Sequence, residues 1–100
     1  MTPPSPAALA GVRVIEMGQL IAGPFAGKTL GEFGADVVKI EPPGAGDPLR
    51  NWRLIKEGTS VWWQVQSRNK RSVAIDLRAP DGQQLARQLI AEADVLIENF

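Results

Sequence analysis

Residues 12–41 read VRVIEMGQLIAGPFAGKTLGEFGADVVKIE, and this stretch decides the fold. Val12–Met17 is a short β-branched run that reads as a strand. Gly18–Gly23 has the composition of a loop, and Pro24 suits the first turn of a helix. Phe25, Ala26, Leu30 and Phe33 recur at helical spacing and predict its apolar face. Gly34 stands where a helix end takes a left-handed residue. Ala35–Glu41, centred on Val37, Val38 and Ile40, reads as a second strand. Strand, helix, strand at these lengths is a βαβ unit, which implies a parallel sheet.

Working outward, the pattern returns. Pro42–Pro48 (PPGAGDP) is a loop of helix and strand breakers. Residues 49–71 carry no clear period, and Ser60–Val65 fits a strand or a buried helical turn equally well. Ser72–Leu77 predicts a third strand and Pro80 a second helix start. Leu85, Ala86, Leu89, Ile90 and Ala93 form that helix's apolar stripe. Asp94–Glu98 predicts a fourth strand. The fold class is α/β, a Rossmann-like parallel sheet with flanking helices. Residues 1–10 hold three prolines and no basic side chain, which reads as a disordered leader rather than a signal peptide. The packed domain is expected over residues 11–100. Parallel strands need helices on both faces. Two helices over four strands, and a stop at Phe100 directly after a strand, predict the N-terminal part of a longer protein.

Composition narrows the chemistry. The chain has no Cys, His or Tyr, so thiolate metal sites, disulfides and histidine general bases are excluded. No Rossmann glycine fingerprint, P-loop or zinc motif occurs, and no metal is expected. No apolar run approaches the roughly 18–20 residues of a membrane span. The 11 basic and 11 acidic residues cancel, which argues against a nucleic-acid partner held by bulk charge. The distribution is uneven: residues 50–78 carry seven basic against two acidic side chains, a net of +5.

Four places are candidates for binding. Leu20–Pro24 lies between strand and helix, where an open parallel sheet takes its ligands and helix N–H groups can hold an anion; a plain strand-to-helix turn explains it too. The basic turn Ser67–Ser72 suits phosphates, or is simply solvated. Ile75–Arg78 closes the third strand, with Asp76 and Arg78 on one face by alternation; a rim ion pair is the plainer account. Trp52, Trp62 and Trp63 offer stacking surfaces or core filling.

Taken in order, several blocks resemble one family. They are Gly11–Glu16, Ala22-Gly23-Pro24, Gly34–Glu41, Gly44-Ala45-Gly46-Asp47, Asn69–Ser72, Asp76-Leu77 and Ala93–Phe100. The series, running from about Leu9 to Phe100, resembles the N-terminus of class III CoA-transferases, the CaiB/BaiF group. That group includes formyl-CoA transferase, carnitine CoA-transferase and α-methylacyl-CoA racemase. Each block is weak alone and the ordered series is specific.

The resemblance implies a CoA-binding Rossmann-like domain within a larger, interlocked homodimer fold. It implies acyl-CoA and a small carboxylic acid as substrates, with no metal; the balanced charge, the lack of an apolar span and the lack of a signal peptide add the expectation of no nucleic acid, no membrane and a cytoplasmic location. It implies CoA transfer through a covalent aspartyl intermediate. That aspartate lies beyond residue 100 and is neither Asp76 nor Asp94, so no catalytic residue is expected within these 100. The positions matching CoA contacts are Leu20, Ile21 and Ala22; Ile75, Asp76, Leu77 and Arg78; and Asn99 and Phe100. Two positions depart from formyl-CoA transferase. Ile21 replaces a glutamine, which argues against oxalate or formate. Pro42 replaces an arginine, for which Lys39, Arg50 or Arg53 is the candidate substitute. Two other readings stand beside this one: an acyl-CoA racemase or isomerase of the same family, and a non-catalytic nucleotide-binding module complete at 100 residues.

Overall fold

The structure, a computed structural model, describes residues 6–100. β1 (Arg13–Glu16), β2 (Asp36–Glu41), β5 (Lys70–Ala74) and β6 (Val95–Ile97) form one sheet in the order β5-β2-β1-β6. Every pairing in it is parallel. α1 (Ala22–Glu32) links β1 to β2, and α3 (Pro80–Ala91) links β5 to β6. From β1 the chain moves outward through β2 to β5, then returns to the other side of β1. The strand order therefore reverses between β1 and β6, and a crevice opens at such a switch point.

The long connection between β2 and β5 forms an arm. It holds a 3₁₀ turn (Pro48–Asn51), a hairpin of β3 (Ile55–Lys56) and β4 (Thr59–Ser60), and α2 (Val61–Gln66). The ambiguity over Ser60–Val65 resolves as a helix, because the Ser60 hydroxyl caps it by accepting from Trp63 N–H at 3.2 Å.

Alternation along the strands builds two different layers. On the α3 side, Ile15, Ile40 and Ile75 pack with Ala86 as an apolar core. On the α1 side, Val14 and Val37 join Ala35, Leu30 and Leu9 at the amino half of the strands. Toward the carboxyl half, that side changes character: Glu16, Lys39 and Glu41 are buried charges.

This ionic layer corrects the expected face of α1. Phe25 and Phe33 are 53% and 57% exposed. The buried residues are Gly23, Pro24, Gly27 and Gly31. A Cβ on Gly27 would lie 2.1 Å from a Glu16 carboxylate oxygen. The helix approaches the sheet on its glycine edge because buried charged side chains already fill the gap.

Two boundaries also move. β5 runs Lys70–Ala74 rather than Ser72–Leu77, so the last three residues of the expected basic turn are strand. At the other end, Leu9 N–H donates to the Phe33 carbonyl at 2.8 Å and Leu9 packs on the α1-side core. Packing thus reaches back into the segment expected as a leader; residues 1–5 lie outside the described residues. Among the described residues, no helix is long and apolar enough to cross a membrane.

Candidate functional site

The carboxyl ends of β1, β2 and β5 surround a cavity of about 600 Å³, within the range of small-molecule sites. Met17, Ile40, Ile75 and Leu77 give it apolar walls, and Arg78 brings the cationic group. Phe100, 67% exposed, stands at its edge.

The turn after β5 places Asp76 and Arg78. The Asp76 carboxylate accepts from Arg78 N–H at 3.0 Å, and the Asp76 carbonyl accepts from Ala79 N–H at 3.2 Å. Because the strand has already ended, alternation is not what brings these two residues to one rim; this Asx turn does. α3 then starts tight against it, since Gly82 has no room for a Cβ beside the Asp76 carbonyl.

Of the nine expected contact residues, Ile75, Asp76, Leu77, Arg78 and Phe100 line this cavity. Leu20 and Ile21 lie in the adjoining β1–α1 loop, whose Gly18 and Gln19 reach the lining, and Ala22 opens α1. Ile21 is 44% exposed. Asn99 clamps that loop: its Oδ1 accepts from Gln19 N–H at 2.7 Å and its Nδ2 donates to the Gln19 carbonyl at 3.0 Å.

The basic middle segment separates into parts. Lys70 opposes Val37 in the register, so the Ser67–Ser72 turn enters the amino end of β5, away from the cavity. There Arg71 reaches both Asp36 oxygens at 2.8 and 2.7 Å, and Arg68 approaches Glu32 at 3.9 Å. Lys70 is buried against Glu16 at 2.6 Å and donates to the Pro24 carbonyl at 2.8 Å. The proposed substitutes for the arginine absent at Pro42 also separate. Lys39 is 1% exposed. Arg50 is committed to Glu41 and stacks 3.9 Å from the Trp63 ring. Arg53, over Trp52 at 4.8 Å, has no carboxylate partner among the described residues. Trp52 meets Trp62 edge-to-face at 5.6 Å within the arm, so these rings pack the arm rather than the cavity.

Sequence reasoning missed the buried ion cluster beneath the loop. Lys39 Nζ lies 2.5 Å from Glu16 Oε2 and 2.8 Å from Asp47 Oδ2, and donates to the Gly18 carbonyl at 3.0 Å. Glu41 accepts from Arg50 Nε and Nη2, both at 2.7 Å, from Asp47 N–H at 2.8 Å, and from the Ser72 hydroxyl. Glu16, Glu41 and Asp47 thus face Lys39, Arg50 and Lys70, three charges of each sign. The available signal was the breaker-like placement of Glu16, Lys39 and Glu41 inside otherwise β-branched strands. Strands covered on both faces ordinarily read as nearly continuous apolar runs.

The cluster tunes its members. Burial pushes the Glu41 carboxyl up, but the Arg50 guanidinium, the Asp47 N–H and the Ser72 hydroxyl outweigh it and hold the group at about 2 against an ordinary 4.5. Burial pushes the Lys70 ammonium down, with Glu16 opposing. The hydrogen bond to Glu41 raises Arg50. A carboxyl depressed in the fold stabilises it fully above its unfolded value, and that stability fades as pH falls through the folded value. Glu41 therefore contributes about 3 kcal/mol near neutrality, lost between pH 4.5 and about 2. Urea midpoints against pH test this: the gap between wild type and Glu41→Gln should shrink across that window. A gap constant from pH 6 to 2 contradicts it.

A family model described as CoA-transferase family III matches residues 9–100. The chain belongs to CoA-transferase family III. Among curated relatives, this family III chain is 52% identical over 99 residues to a succinyl-CoA–D-citramalate CoA-transferase of Chloroflexus aurantiacus, covering 98% of this chain and 24% of that protein. It is 50% identical over 93 residues to the beta subunit of a succinyl-CoA–L-malate CoA-transferase from the same species, covering 92% and 23%. A crystal structure of a CaiB/BaiF family protein from Brucella suis superposes with a TM-score of 0.86 at 42% identity, covering 96% of this chain and 26% of that one. The family III chain thus spans about a quarter of the length of the relatives it matches.

Proposed function

We propose that this chain is the CoA-binding amino-terminal segment of a CoA-transferase that takes CoA from succinyl-CoA and gives it to a dicarboxylic acid. The observation that carries the reading is the likeness over 98% of the chain to a transferase named for succinyl-CoA and citramalate. The cavity supports it: apolar walls for a nucleotide base or pantetheine stem, and Arg78 for phosphate. Leu20, Ile21 and Ala22, with Asn99 beside them, are proposed to meet the thioester end. The working enzyme is proposed to be a cytoplasmic, interlocked homodimer of longer chains.

In this reading an aspartate carboxylate beyond residue 100 attacks the acyl-CoA carbonyl and expels CoA thiolate, leaving a mixed anhydride. The thiolate attacks the enzyme-side carbonyl, which frees the donor acid and forms an enzyme thioester. The acceptor carboxylate attacks that thioester and expels the thiolate again. The thiolate then attacks the acceptor-side carbonyl of the new anhydride, releasing the new acyl-CoA and restoring the aspartate. The residues described above bind and orient CoA and carry none of these bonds.

The test is exchange of labelled CoA between succinyl-CoA and citramalate, malate or glutarate, using the longer chain. Exchange with hydroxylamine-trappable acyl-enzyme is expected, and the 100-residue chain alone should show none. Epimerisation at the carbon next to the thioester, without exchange, would point to the racemase branch. Neither reaction, with CoA bound, would leave only a binding module.

A further inference from the structure

The β1–α1 loop contains a strained residue held from below. Leu20 has φ +60°, a left-handed conformation that non-glycine residues adopt at a cost. Such a conformation persists only where the surroundings over-determine it. Here they do. The Asp47 carboxylate accepts from Leu20 N–H at 3.1 Å and from Leu49 N–H at 2.9 Å through Oδ1. Its other oxygen meets Lys39 at 2.8 Å. Lys39 reaches the same loop a second time, through the Gly18 carbonyl at 3.0 Å. Asn99 fixes Gln19 from the opposite side of the switch point.

Both ions are 1% exposed. A buried pair of this kind gives little net stability compared with apolar replacements, so its geometry is the more informative feature. Two contacts from one pair grip two backbone groups of one short loop. The residues that follow, Ile21 and Ala22, are exposed at the cavity's side.

We propose that the buried Lys39–Asp47 pair is a positioning device: it locks Leu20 in its left-handed conformation and thereby sets Ile21 and Ala22 against the acyl-thioester end of bound CoA. Asp47 and Lys39 act through the loop and make no bond to the reacting atoms. The inference rests on the CoA-transferase reading above. It separates two parts of one site, since the Ile75–Arg78 turn is held by its own hydrogen bonds and does not depend on the pair.

The test uses the full-length enzyme and three readouts: the dissociation constant of free CoA, turnover counted per CoA-binding site, and amide hydrogen exchange by segment. Counting per binding site removes unfolded protein from the comparison. For Asp47→Asn, exchange in residues 18–22 should rise while residues 75–78 stay protected. Turnover per site should fall about 10- to 100-fold, as misplacement of a reacting group does, with CoA affinity within about 3-fold. Leu20→Gly leaves the ion cluster intact and frees the same residue, so exchange in residues 18–22 should rise and turnover per site should fall in a chain whose core is untouched. Unchanged exchange in residues 18–22, or a parallel fall of CoA affinity and turnover, overturns the inference. So does a Leu20→Gly enzyme with wild-type turnover, even where Asp47→Asn fails to fold. A wild-type enzyme that binds no CoA overturns the site reading itself, and the inference with it.

Discussion

Lys39→Met is expected to destabilise the fold by about 3–5 kcal/mol, the usual effect of removing one partner from a buried ion pair. The methionine fills most of the lysine's volume, so a cavity is not the cause. The cause is charge. Glu16 and Asp47 each lose an ammonium contact, at 2.5 and 2.8 Å. Glu16 keeps Lys70, but Asp47 keeps only neutral N–H donors for its carboxylate. Both carboxylates are essentially inaccessible, so water cannot take the lysine's place. The double variant Lys39→Met/Asp47→Asn removes the orphaned charge together with its partner. It should recover part of the loss, a coupling that a double-mutant cycle measures. Urea unfolding of the longer enzyme is the assay. A Lys39→Met unfolding free energy within about 1 kcal/mol of wild type would show that these ions are hydrated in solution.

Gly82→Ala is expected to destabilise even though it adds a better helix former. Alanine in a helix interior gains about 1 kcal/mol over glycine. A Cβ at position 82 would, however, lie 1.9 Å from the Asp76 carbonyl oxygen and 2.8 Å from its carbon. Those are backbone atoms of the turn that carries Arg78, so relief needs the helix or the turn to shift by more than 1 Å. Overpacking of this kind costs about 1–3 kcal/mol or more, and the severity of the contact places this case at the upper end. The shift would also displace the cavity rim, so CoA affinity should fall with stability. Gln84→Ala, on the exposed side of the same helix, should stay within about 0.5 kcal/mol. Equal melting temperatures for the two variants would contradict the close approach.

The strands and helices of the main sheet were legible because their periods are strong; the arm over residues 49–71 has no clear period, and its hairpin and α2 were not read. In the run from Val12 to Glu41, two β-branched segments flank a stretch with helical spacing, which is enough to give the βαβ unit, and Pro80 marks the start of α3. The face of α1 was misread for a physical reason. Hydrophobicity alone turns Phe25, Leu30 and Phe33 inward; Leu30 does pack on the α1-side core, but Phe25 and Phe33 are exposed. What governs the packing is the ionic layer beneath, which admits only the edge carrying Gly23, Gly27 and Gly31. The four-residue spacing of those glycines was the readable sign. Positions 75–78 and 100 were found at the cavity although the strand stops at Ala74, because the chain still runs along the sheet's carboxyl edge after β5. Asp47 was not legible as a support. It sits in a breaker-rich loop where aspartate is ordinary, and only the tertiary fold shows its contact with Leu20, 27 residues away. The basic segment was legible as charge but not as geometry: Arg71 and Arg78 are close in sequence and stand at opposite ends of the sheet's strands.

That separation makes it possible to test whether CoA occupies the carboxyl edge of this sheet. Amide hydrogen exchange of the full-length enzyme should be measured with and without saturating CoA. Protection is expected in residues 17–20 and 75–78, and none in residues 67–71 at the amino end of β5. Protection of 67–71 with 75–78 unchanged would put CoA at the amino end of the strands and contradict a site at their carboxyl edge.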